Sequence, residues 1–140
     1  MCLVVDNKFH PTGKPLTAGE NIIVGKVLAI SYTGRYLTPY RFKEVRFHND
    51  ECKLKKVSLG VKTEYFMEAF ASSPKLFFEV EEGYHAYTSL PIARNFVRHS
   101  ANGNTWKIFE AYIPKGAEYY VGVAGDIVSS EMVITNKMIN

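Results

Sequence analysis

The chain has 140 residues, of which 46% are hydrophobic and 22% charged, with nine Phe and nine Tyr. That much apolar surface excludes a disordered chain, and the length suits one core better than two small ones, so a single domain over 1–140 is expected. A net charge of +3 is too slight to mark a dedicated nucleic-acid binder, whose basic residues gather into a stripe.

In chain order, residues 2–5 predict a short strand, and Pro11, Gly13 and Pro15 force the loop that follows. Residues 21–32 are rich in Ile and Val and predict a long strand, with a bulge or close backbone approach at Gly25. Thr33-Gly34-Arg35 predicts a turn, and Pro39 keeps its neighbours extended or turning. Residues 41–48 alternate apolar and polar with one slip between Phe42 and Val45. Asn49-Asp50-Glu51 predicts a turn, and 53–61 a strand through Leu54, Val57, Leu59 and Val61. Residues 65–71 are compatible with a helical turn ended by Pro74, and 76–80 predict a strand closed by a turn at 81–83.

The clearest helix covers 90–100. Ser89 suits its N-cap and Pro91 its first turn, where a missing N–H costs nothing. Ile92, Ala93, Phe96 and Val97 share one helical face, and Asn102-Gly103-Asn104 is a stop. Strands follow at 106–113, 119–123 and 131–135, separated by turns at Pro114-Lys115-Gly116 and Ala124-Gly125-Asp126. The fold class expected is therefore α+β: twisted, mostly antiparallel sheets, as a half-barrel or sheet pair, with the helix packed on them. Its core is expected to hold Ile23, Val27, Leu28, Ile92, Phe96, Trp106, Ile108, Val121 and Val133.

The two cysteines, Cys2 and Cys52, cannot form a disulfide framework and are read as reduced thiols of a cytoplasmic protein. Residues 1–6 lack the features of a signal peptide, and no stretch approaches the roughly 20 apolar residues that cross a bilayer. His10, His48, His85 and His99 are scattered; His48 and Cys52 are the one pair near ligand spacing, so no metal is expected. Cys2 is read as a small hydrophobe rather than an N-terminal nucleophile. Lys53, Lys55 and Lys56 form one basic cluster, and Arg94 and Arg98 another, one helical turn apart. Arg35, Arg41 and Arg46 interleave with Tyr36, Tyr40, Phe42 and Phe47, a pattern shared by single-strand nucleic-acid platforms and by ordinary strand cores; the core reading is preferred.

Three phrases carry a resemblance: Met1-Cys2-Leu3 followed by ENIIVGKVL and YLTPY; EGYHAYTSLPIARNF; and AYIPKGAEYYVGVAGDIVSSEMVI. Together they resemble small proteins and modules found in bacteriophages and prophages of gut bacteria. The resemblance implies a phage or prophage context; the function expected is that of an accessory or interaction protein, without enzyme activity or cofactor, whose partner is unknown and could be a protein. The order of elements is also similar to that of mono-ADP-ribosyltransferases. Under that resemblance Glu131 would be catalytic, and Lys26, Tyr87, Thr88 and Ser89 would bind NAD. Ile113-Pro114-Lys115-Gly116 matches well, whereas Lys26 stands where the family has Arg and Ser129 where it has the first Glu. Lys offers a point charge to a phosphate, without the planar fork of Arg.

Overall fold

The computed structural model describes residues 3–38, 43–66, 75–99 and 105–139, with side chains at all of these except 64–66, 75–77, 98 and 99. Its strands are β1 (Leu3–Val4), β2 (Leu16–Thr17), β3 (Ile22–Ile30), β4 (Tyr36–Leu37), β5 (Glu44–Val45), β6 (Glu51–Leu54), β7 (Gly60–Phe66), β8 (Lys75–Glu82) and β9 (Tyr84–Tyr87). Helix α1 (Leu90–His99) follows, then β10 (Thr105–Ile113), β11 (Glu118–Val121), β12 (Asp126–Ser129) and β13 (Met132–Met138). The described pairs are antiparallel. One open sheet runs β1-β8-β7; the other runs β2-β11-β12-β9-β3-β10-β13-β6, with β4 beside β3 and β5 beside β4.

The spine is the β3–β10 ladder, in unbroken register from Ile22↔Ile113 to Ile30↔Thr105. Alternation sends Val24 and Leu28 to one face, with Phe109, Ala111 and Ile113 across from them. This face is the interior of the larger sheet, completed by Ile127, Met132 and Ile134 and by an aromatic group in which Tyr36 and Phe47 lie 5.3 and 6.2 Å from Phe109. The sheet curls far enough for the Tyr84 hydroxyl, on β9, to donate to the Lys55 carbonyl just beyond β6 at 2.5 Å.

Two stretches of the outer face are covered. Helix α1 lays Ala93, Phe96 and Val97 over Val27, Ala29, Trp106 and Ile108. The smaller sheet lays Leu3, Val5 and Val80 over Tyr120 and Val128. Gly83 joins the two sheets at φ 139°, and a Cβ there would come within 2.6 Å of Val128 and 2.7 Å of Leu59. Only glycine meets both conditions.

Several expectations change. The strand expected at 53–61 is two strands of different sheets, β6 and β7, with 55–59 between them unpaired in either ladder; its apolar alternation spans a crossing from one sheet to the other. Residues 65 and 66 continue β7 and are not helical; the rest of that expectation, like those at Cys2, Pro39–Phe42, Pro74 and 102–104, lies outside the described residues. Gly25 forms no bulge but does mark a close approach, since a Cβ there would sit 3.2 Å from Ile108. Ile23 and Ile92 are 61% and 38% exposed rather than core, because α1 ends its cover of the β3 face before Ile23, and Ile92 lies at the rim of the helix. Val121 is half-buried. The turn at 49–50 is as expected: Asn49 and Asp50 both have positive φ, and His48 and Glu51 exchange backbone bonds around them.

Candidate functional site

Lys26 sits at mid-β3, paired with Phe109, so its side chain enters the interior beside Val24 and Leu28. It is 8% exposed, and Nζ donates to the His85 carbonyl at 2.6 Å. The reason lies in the ladder. β9 meets β3 only at Gly25↔Tyr87 and then splays away, so the His85 carbonyl faces a gap that the ammonium fills. Among the described residues no carboxylate pairs with Lys26, and burial lowers its pKa from 10.5 to about 8.

The other residues expected beside it lie elsewhere. Tyr87 is the direct partner of Gly25, which places it on the opposite face of the sheet from Lys26; there it stacks on Phe96 at 5.5 Å, under the helix. Thr88 donates through Oγ1 to the Gly125 carbonyl, tying β9 to the β11–β12 turn. Ser89 gives its carbonyl to the first helical bond, from Ala93. Its hydroxyl makes no capping bond among the described residues. Glu131 is half-buried in the connection between β12 and β13, where its carbonyl accepts from Ser129 Oγ at 2.6 Å. The fold thus brings Tyr87, Thr88 and Ser89 together at the start of α1 and leaves Lys26 and Glu131 apart from them.

Side chains that the sequence did not single out hold a second region together, where the smaller sheet covers β11 and β12. His10 is 1% exposed. Its Nε2 accepts from the Val121 N–H at 2.8 Å, so the proton must be on Nδ1, which donates to the Lys14 carbonyl at 2.9 Å. The Tyr120 ring lies 4.9 Å from it, and the Tyr120 hydroxyl donates to the Gly13 carbonyl. These bonds fasten the 6–15 loop to β11. A cleft of about 560 Å³ adjoins them, with Pro15, Lys56, Leu59, Val61, Glu118 and Ser130 on its walls. Sequence spacing held no signal for it, since its walls come from four separate segments.

The remaining polar groups are dispersed. Asp126 opens β12, and one of its carboxylate oxygens is buried without a hydrogen-bond partner among the described residues; burial raises its pKa, against the pull of the N–H groups of Asp126 and Ala124. Cys52 is a free thiol whose pKa burial also raises, which makes it a weak nucleophile. Among the described residues no three His, Cys, Asp or Glu side chains converge, and no helix is long and apolar enough to cross a membrane. Exposed Lys53, Lys55 and Lys56 follow the far edge of the larger sheet, while exposed Arg94 lies on the helix over β3 and β10.

Comparison with protein-family models, with curated proteins and with solved structures found no match.

Proposed function

We propose that this is a non-enzymatic accessory protein, of phage or prophage origin and working in the cytoplasm, that binds another protein along the open edge of β7. The observation that carries the reading is the β7–β8 ribbon. β7 is seven residues long, pairs β8 on one side, and has no strand on the other among the described residues. Val61, Lys62 and Thr63 are all exposed, so neither face of the ribbon is covered along this stretch. An open edge of that length offers a row of N–H and C=O groups to an added strand. Exposed Lys62 supplies a charge that keeps such an edge from pairing indiscriminately. The curl of the larger sheet, which we read as a half-barrel, supplies the rigid base from which the ribbon extends.

The test is photo-cross-linking in cells, with the reactive residue placed at Lys62 or, as a control, at fully exposed Tyr32. A discrete adduct from Lys62 that Tyr32 does not give is expected. Equal labelling from both positions would remove the reading. Release of nicotinamide from NAD, lost in a folded Glu131→Gln variant, would replace it with the transferase-like alternative.

A further inference from the structure

The cleft beside β11 has a size, a charge pattern and an unspent donor that together specify a ligand. Its volume, about 560 Å³, is within the range of small-molecule sites. Ser130 lines it at 2% exposure. Ser130 Oγ accepts from the Glu118 N–H at 3.1 Å, and its own proton has no acceptor among the described residues. That hydroxyl proton is therefore available to a ligand oxygen in the cleft. Lys56 and Glu118 stand on the walls with opposite charges, and neither has an ion-pair partner among the described residues. Val57, Leu59, Val61 and the Tyr120 ring give the lining its apolar part, beside Ser58, and Val61 is 40% exposed.

We propose that this cleft binds a small zwitterion with an apolar side group, of the class of free apolar α-amino acids. The carboxylate accepts from Ser130 Oγ and pairs with Lys56. The ammonium faces Glu118, and the side group covers Val61 and the Tyr120 ring. A simple anion would leave Glu118 unopposed, a simple cation would meet Lys56, and an uncharged apolar molecule would leave the Ser130 proton unspent. The zwitterion uses all three groups. The site shares Val61 with the β7 edge but rests on separate observations, and its test reads a different ligand.

The experiment is an NMR titration of backbone amides with L-leucine and L-phenylalanine, beside N-acetyl-leucine, which lacks the ammonium, and leucinamide, which lacks the carboxylate. Saturable shifts confined to residues 56–61, 118–120 and 130 are expected, with each singly charged analogue about tenfold weaker or more. Ser130→Ala should abolish binding. Lys56→Gln and Glu118→Gln change exposed side chains, leave the fold intact, and should each weaken binding about tenfold. Four results would overturn the proposal: no saturable shift, shifts centred elsewhere, analogues that bind as well as the amino acids, or unchanged affinity in Lys56→Gln and Glu118→Gln.

Discussion

Lys26 and His10 are both buried polar side chains that serve backbone groups, and they do so at different cost. Each stands where a ladder fails: Lys26 where β9 splays from β3, His10 where the 6–15 loop runs past β11. His10 is neutral and has both ring nitrogens engaged, so it closes two backbone groups without burying charge. Lys26 brings an ammonium into an apolar interior to satisfy one carbonyl, and its lowered pKa reports the penalty. The same device recurs on the surface of the larger sheet, where β13 loses register against β10 and Thr135 Oγ1 donates to the Glu110 carbonyl. A side chain that substitutes for a ladder bond is cheap when it is neutral or exposed, and expensive when it is charged and enclosed.

Substitutions can sharpen or break that contrast. The largest effect is expected from Phe109→Ala, which removes the aromatic centre of the interior around Lys26; it should cost about 3–5 kcal/mol by chemical denaturation. His10→Ala should cost about 2–4 kcal/mol, because it strands the Val121 N–H and the Lys14 carbonyl together. Accelerated hydrogen exchange at Val121 would identify the cause, and unchanged exchange there would show that the ring is not the fastener. Lys26→Met should act in the opposite direction, raising stability by about 1–2 kcal/mol at neutral pH, since an apolar side chain of similar length replaces a desolvated charge. A loss of stability would mean that the bond to the His85 carbonyl outweighs the burial penalty. Ser89→Ala should change stability by less than about 0.5 kcal/mol, because its hydroxyl makes no capping bond among the described residues, although an effective Ser cap contributes about 1 kcal/mol.

Much of the fold was legible because local chemistry and tertiary structure agree. The Ile- and Val-rich run of β3, the Asn49-Asp50 turn, the Pro114–Gly116 turn and the start of α1 at Ser89-Leu90-Pro91 are each dictated by residues next to one another. Strands β9 and β12 were not legible. Each is four residues long, is flanked by Gly, and is made a strand by pairing with the other across more than 35 positions of sequence. The break of 53–61 into two strands was hidden because Leu54 packs in the interior of the larger sheet and Leu59 under the smaller one, so both positions needed an apolar residue. The candidate site fared less well. Lys26 was singled out, but its direction depends on the parity of β3, which puts it on the face opposite Tyr87. His10 and Ser130 were passed over because neither has a sequence neighbour that hints at its partner 111 or 12 residues away.

The central claim is that Lys26 is an enclosed amine serving the His85 carbonyl, and stability against pH tests it most directly. Its folded pKa of about 8 lies below the unfolded value of 10.5, so between these values the unfolded chain holds more protons and stability must rise with pH. Above about pH 10 three tyrosines act the other way: half-buried Tyr84 and Tyr112 and buried Tyr120 have raised pKa values and keep their protons in the fold while the unfolded chain loses them. The window is therefore about pH 8 to 9.5; the raised pKa of Cys52, ordinarily 9.0, opposes the rise there, so the measurement is made on Cys52→Ser, in which the unfolding free energy should increase by on the order of 1–2 kcal/mol. Lys26→Met should abolish that rise. A Cys52→Ser protein whose stability is flat or falling across the window, or one that keeps the rise after Lys26→Met is added, would contradict the account.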